Sequence, residues 1–170
     1  MFDLIIRGDR VVTSQGAGAW DVCISGETNE SLLQNITISG GNSPGGGGIY
    51  IENSSPTIRN CTFRNCGAIS GGAAYVSGQC HPRFLECTFN GNWAEVGGGA
   101  IEIVTASCDL LDCTFLNNTA QSFGAGVMAY QGTVHISGSM FSANELKEDG
   151  AISGSGGAIM MYLSTLTMDS

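Results

Sequence analysis

Short runs in which apolar and polar residues alternate recur along the chain at one fixed spacing. Four segments line up: Asn60-Cys61-Thr62-Phe63, Glu86-Cys87-Thr88-Phe89, Asp112-Cys113-Thr114-Phe115 and Gly138-Ser139-Met140-Phe141. Their final phenylalanines are 26 residues apart at every step, and Ile38 extends the series backwards by 25. A second apolar column, Ile58, Phe84, Leu110 and Ile136, runs five positions upstream, and Asn92, Asn118 and Asn144 run three positions downstream. Between these anchors a glycine pair or a close variant precedes a short β-prone run, as in Gly47-Gly48-Ile49-Tyr50-Ile51 and Gly98-Gly99-Ala100-Ile101-Glu102-Ile103. Apolar alternation at period two predicts strands, and nowhere does a 3.6-residue period last long enough to predict a helix.

Three columns in register over four repeats predict a solenoid in which each period is one coil. A coil of about three short strands should rise by roughly one strand spacing, about 4.8 Å, so residues one period apart stack directly. The expected fold is an all-β parallel β-helix of about five coils of ~26 residues over residues 29–170, with residues 1–28 a strand-rich segment ahead of it. Asp21-Val22-Cys23-Ile24 could already start a first, imperfect coil. After Ala158 the next anchor falls due 15 residues on, as Ala100 leads to Phe115, but the sequence stops at Ser170. The last coil is therefore expected to be incomplete, its open edge meeting further coils or another chain.

Composition narrows the partners. Of 170 residues 26 are glycine, only 12% are charged, and 15 acidic against 6 basic side chains give a net charge of −9. Such a field repels phosphate backbones and anionic lipid, so no nucleic-acid role is expected. No apolar run approaches the ~18 residues of a membrane span, and Met1 to Arg7 do not read as a secretory leader.

The paired motifs Gly99-Ala100-Ile101 and Gly157-Ala158-Ile159, with Phe89 to Asn92, Phe115 to Asn118 and Phe141 to Asn144, resemble the repeats of polymorphic outer-membrane proteins and related right-handed β-helix proteins of the pectin-lyase-like fold. The first copies depart from it, since Cys66 follows Phe63 and Ile38 stands in for phenylalanine. The resemblance implies an exported, surface or adhesive protein, outer-membrane associated or extracellular. It also implies right-handed coils, in line with the general crossover rule. Residues Met1 to Gly8, Val11 to Thr13 and Trp20 to Val22 separately resemble the start of dihydropyrimidinase/hydantoinase-type amidohydrolases. That family's His-x-His metal pair is missing, His81 and His135 being far apart.

Candidate chemistry sits in the polar columns. Cys61, Cys87 and Cys113 fall two residues before the anchor and should point inward as buried, reduced thiols. Cys66, Cys80 and Cys108 fall at corners, where pairing is open. Six positions before the anchor, Thr57, Arg83, Asp109 and His135 stack, placing Asp109 between Arg83 and His135. This is the constellation from which catalysis on an acidic polysaccharide would be built. A solvated ion-pair ladder is the plainer expectation. Glu86 above Asp112 is a candidate calcium pair. Trp93 could stack on a sugar ring or simply cover a corner. The stretch Glu145 to Gly150 lengthens one corner, and Asn29, Asn35, Asn53, Asn60 and Asn117 begin glycosylation sequons.

The expected function is a non-enzymatic surface or extracellular repeat module for adhesion or scaffolding, without a cofactor, with carbohydrate or a host or cell-surface protein as partner. The alternative is a fragment of a carbohydrate-active β-helix enzyme.

Overall fold

A computed structural model describes residues 4–6, 11–13, 16–18, 22–25, 32–147 and 156–169. Each full coil contributes one strand to each of four parallel sheets, and the last described coil contributes to sheets 1 and 2. Sheet 1 holds Val22–Ser25, Ile49–Glu52, Ala74–Ser77, Ile101–Val104, Val127–Tyr130 and Ile159–Tyr162, with Leu4–Ile6 added antiparallel at its first edge. Sheet 2 holds Leu32–Gln34, Thr57–Arg59, Arg83–Leu85, Ser107–Leu111, Thr133–Ser137 and Thr165–Asp169. Sheet 3 holds Thr37–Ser39, Thr62–Arg64, Thr88–Asn90, Thr114–Leu116 and Met140–Ser142. Sheet 4 holds Asn42–Gly45, Gly67–Ser70, Trp93–Gly97, Thr119–Ala120 and Glu145–Leu146. Among the described residues no helix is long and apolar enough to cross a membrane.

The register is the one the spacing predicts. Phe63 pairs with Phe89, Phe89 with Phe115, Phe115 with Phe141, and Ile38 with Phe63. The expectation of about three strands per coil is corrected to four. Between sheets 2 and 3 the chain turns on a single residue in the left-handed region, so a segment such as Thr57 to Phe63 looks like one strand in sequence and is two. Every coil corner repeats this device: φ lies between 47° and 83° at Asn53, Gly78, Thr105 and Gln131 after sheet 1, and at Asn60, Glu86, Asp112 and Gly138 after sheet 2. Asn65, Gly91, Asn117 and Ala143 play the same part after sheet 3. After sheet 4 the residue is always glycine (Gly46, Gly71, Gly98, Gly124, Gly156). There a Cβ would stand only 2.1–2.5 Å from the carbonyl oxygen three residues on, such as Ile49 O or Ile101 O, closer than any substituted residue tolerates.

The core is a set of continuous columns. Phe63, Phe89 and Phe115 are fully buried and, with Phe141, stack with ring centroids 5.0, 4.8 and 4.4 Å apart. Phe84 meets Phe63 and Phe89 edge-on. Burial of each such side chain contributes about 1.5–3 kcal/mol.

Val22–Ser25 pairs parallel with Ile49–Glu52, Val22 opposite Ile49, so sheet 1 already begins within residues 1–28. Val11–Thr13 and Gly16–Gly18 form an antiparallel hairpin. The other residues of the amidohydrolase-like start, the sequon at Asn29 and residues 148–150 of the long corner lie outside the described residues.

Candidate functional site

Inward-facing polar residues belong to the scaffold. The Asn column is a hydrogen-bonded ladder: Asn118 Nδ2 donates to Phe89 O at 3.0 Å and to Asn144 Oδ1 at 2.9 Å, and its Oδ1 accepts from Asn92 N at 3.0 Å and Asn92 Nδ2 at 2.9 Å. Cys66 occupies the same column one coil below Asn92, its N–H donating to Asn92 Oδ1 and its thiol lying 3.8 Å from Ile38 O. The Cys61, Cys87 and Cys113 thiols each donate to the carbonyl two residues back, at 3.2, 3.3 and 3.4 Å, and each also reaches a carbonyl one coil below. Ser139 does both with a hydroxyl. The column therefore selects a small side chain that can bridge coils, which explains serine at its end. All six described cysteines are free and buried. The Cys87 thiol is pushed up to about 12, chiefly by its bond to Cys113, and Cys61 is raised by its bond to Cys87 and by burial. Burial raises Cys66, Cys80 and Cys108. These thiols are poor nucleophiles.

The candidate catalytic trio is only half assembled. Arg83, Asp109 and His135 are register neighbours on sheet 2, as the spacing predicts. Asp109 Oδ2 accepts from Arg83 Nε at 3.3 Å, but its Oδ1 meets His81 Nε2 at 2.7 Å. His135 turns away, its Nε2 3.2 Å from Asp169 Oδ2 without hydrogen-bond alignment. The placement of Asp109 between Arg83 and His135 thus holds for the backbone and fails for the side chains, because His81 reaches up from the preceding corner first. His81 stands two residues before Arg83, a same-face position that could have marked it in the sequence.

Glu86 and Asp112, the candidate calcium pair, are left-handed corner residues with φ of 54° and 53°. They share their column with Asn60 and Gly138; the backbone requirement suits Asn60, Asp112 and Gly138, but it does not select a glutamate at Glu86. Among the described residues no group of three or more His, Cys, Asp or Glu side chains is placed to hold a metal. Trp93 lies over Gly67, its strand partner in sheet 4, where a Cβ would stand 2.2 Å from the indole Nε1, and is 42% exposed; it covers strand backbone rather than a corner.

Two outward features complete the surface. Beside the His81–Asp109–Arg83 cluster, the corner between sheets 1 and 2 forms an open groove of about 640 Å³ crossing successive coils, lined by Ser55, Gln79, His81, Thr105, Ser107, Gln131, Thr133 and Thr165. On the outside of sheet 1, one column reads Tyr50, Tyr75, Glu102, Met128 and Met160. Glu102 is 7% exposed, and its Oε2 has no hydrogen-bond partner. Burial pushes its carboxyl up, against the opposing pull of the Ser70 hydroxyl and the Gly71 N–H. Burial, then Glu102, raises the Tyr75 phenol. Sequence reasoning passed over Glu102, although its place beside the Gly98-Gly99 landmark puts it on the same face as Tyr75.

Parallel four-sheet coils and stacked corner ladders define a β-helix. The chain matches the model of the right-handed beta helix region over residues 10–167, and it belongs to that family. No curated protein and no solved structure is significantly similar to it.

Proposed function

We propose that this β-helix is a non-enzymatic binding module, displayed at a cell surface or outside the cell, that holds an extended hydroxyl-bearing ligand such as a glycan along its flank. The observation that carries this reading is the groove between sheets 1 and 2. Its lining of hydroxyls and amides repeats coil after coil, which suits a ligand with a repeating hydrogen-bond pattern. Glycan binding by a rigid, pre-formed surface needs no ordering of the protein. The adjoining carboxylate is occupied rather than poised: both oxygens of Asp109 already face His81 and Arg83.

The second reading, a carbohydrate-active enzyme, draws on that same cluster, in which a histidine and an arginine converge on one carboxylate. Incubation of the protein with immobilised neutral, acidic and amino glycans, scored for both retention and cleavage, separates the two. The expected result is retention without cleavage, with retention of the neutral glycans weakened when Ser107→Tyr fills the groove. Cleavage lost in Arg83→Ala would make the protein an enzyme, and no retention of any glycan would overturn the binding reading.

A further inference from the structure

The chain has four tyrosines, and all four stand on the outside of one sheet. Tyr50 and Tyr75 stack at 5.4 Å and 12° in one outward column of sheet 1, and Tyr130 and Tyr162 stack at 5.5 Å and 7° in the neighbouring column. Inward positions of the same sheet, Ile49, Ile51, Ile101 and Ile103, are fully buried, so the tyrosines are not needed to build the core. Between the two pairs lies Glu102, an outward carboxylate that is nine-tenths buried with one oxygen lacking any donor. Glu52 stands in the second column, between Ser25 and Ser77, and none of the described basic side chains stands on this face. A surface of phenol hydroxyl tips with a desolvated acceptor and no cation of its own is complementary to a hydrogen-bond-donating cationic group.

The spacing bears on what carries that cation. Successive outward positions repeat every coil, about 4.8 Å. An extended peptide presents side chains to one face every second residue, about 6.8 Å, and falls out of step within two coils. A chain of pyranose rings presents one ring at a time and can lie along the columns. We infer that the outer face of sheet 1 binds an ammonium-bearing saccharide chain, its hydroxyls against the tyrosine hydroxyls and an ammonium group donating to Glu102. The inference rests on the glycan-binding reading above and names a different face and a narrower ligand. Met128, next to Glu102 in the column, packs its thioether against Gly97; its flexible side chain can move aside to admit a donor.

The test is calorimetric titration at physiological salt with a glucosamine hexamer, its fully N-acetylated counterpart and a galacturonate hexamer. The expected result is saturable binding of the glucosamine hexamer, about tenfold or more weaker binding of the acetylated one, and none of the anionic one. Glu102→Gln, which keeps shape and removes charge, should weaken the glucosamine hexamer about tenfold or more. Asp112→Asn, which removes one charge from an exposed corner elsewhere, should leave it unchanged. Tyr75→Ala should weaken it with the thermal melt intact, and Ser107→Tyr in the groove should not affect it. The inference is overturned if the glucosamine hexamer does not bind, if the acetylated hexamer binds as well, or if Glu102→Gln and Asp112→Asn behave alike. Binding lost in Ser107→Tyr but kept in Glu102→Gln would overturn this inference and leave the proposed function standing. Retention of no glycan at all would remove both.

Discussion

Replacing Asn118 with alanine should be among the most damaging single changes outside the aromatic core. Asn118 is fully buried and makes four hydrogen bonds, two as donor and two as acceptor. Truncation leaves Asn92 N–H without a partner inside the coil, whereas Phe89 C=O keeps its place in the parallel ladder with Thr114–Leu116. The buried orphan costs about 1–3 kcal/mol and the lost side-chain bond to Phe89 O about 0.5–1.5 kcal/mol. Asn92 Nδ2 keeps its bond to Phe63 O at 3.1 Å, and half-buried Asn144 can turn to water, so these two losses add little. The sum is about 1.5–4.5 kcal/mol, a large part of the roughly 5–15 kcal/mol that holds a domain folded.

Two companion variants sharpen the test. Asn144→Ala, at the half-buried end of the ladder, should cost only about 1–2 kcal/mol. Asn118→Cys, copying Cys66 two positions down the ladder, restores a weak donor toward Phe89 O and still orphans Asn92 N–H, so it should fall between. Urea unfolding followed by circular dichroism gives each midpoint and slope, with equal slopes required for the comparison. A loss below about 1 kcal/mol for Asn118→Ala, or equal losses at positions 118 and 144, would refute the ladder account.

Three further outcomes follow from the same columns. Phe89→Ala should cost about 3–5 kcal/mol, because the cavity lies between two stacked rings and an edge-on Phe84, and a denaturant melt reads it directly. Stability should fall as pH rises from about 9 towards about 12: the Cys87 thiol stays protonated in the folded protein and ionises at its ordinary value of about 9 once unfolded. Its contribution is thus whole below the lower value and lost on passing through the higher one, and Cys87→Ser should flatten the profile. Gly98→Ala should destabilise by about 1–3 kcal/mol more than Gly40→Ala. Both sites have positive φ, but only the first would press a Cβ to within 2.5 Å of Ile101 O, the second having nothing within 4 Å; paired melts decide it.

The solenoid was legible in the sequence because its inner columns obey one chemistry per position. Phe63, Phe89, Phe115 and Phe141 fill the same space, and that space recurs every 26 residues. Corner residues obey a backbone rule instead. Asn60, Glu86, Asp112 and Gly138 share only a positive φ, so they resembled a polar site and hid the break between sheets 2 and 3. The Asp109 cluster was legible to the level of register and no further, since a side chain long enough to span a coil chooses among several partners. His81 and His135 lie in different parts of their coils, and only the positions of the rotamers separate the histidine that meets Asp109 from the one that meets Asp169. Glu102 and the tyrosines were hidden for another reason. Tyr50 and Tyr75 are 25 residues apart, Tyr130 and Tyr162 are 32, and the two pairs occupy different columns. Their common face emerges only after each coil's length is known.

That separation between columns also bears on how such a protein can acquire a ligand. An inward residue is held by the residues stacked on both sides, so changing Ile101 disturbs Ala74 and Val127 as well. An outward residue has solvent on one side, and its neighbours above and below are as diverse as Tyr75, Glu102 and Met128. Substitutions there change what the face binds with little cost to the fold. A buried, half-satisfied carboxylate is the exception among these outward positions, because an unpaired acceptor weakens the fold it sits in. A glutamine at position 102 would relieve the charge and keep the packing. Glu102→Gln should therefore raise the unfolding midpoint while lowering affinity for an ammonium group. Two effects of opposite sign from one substitution are what a binding residue produces and a packing residue does not.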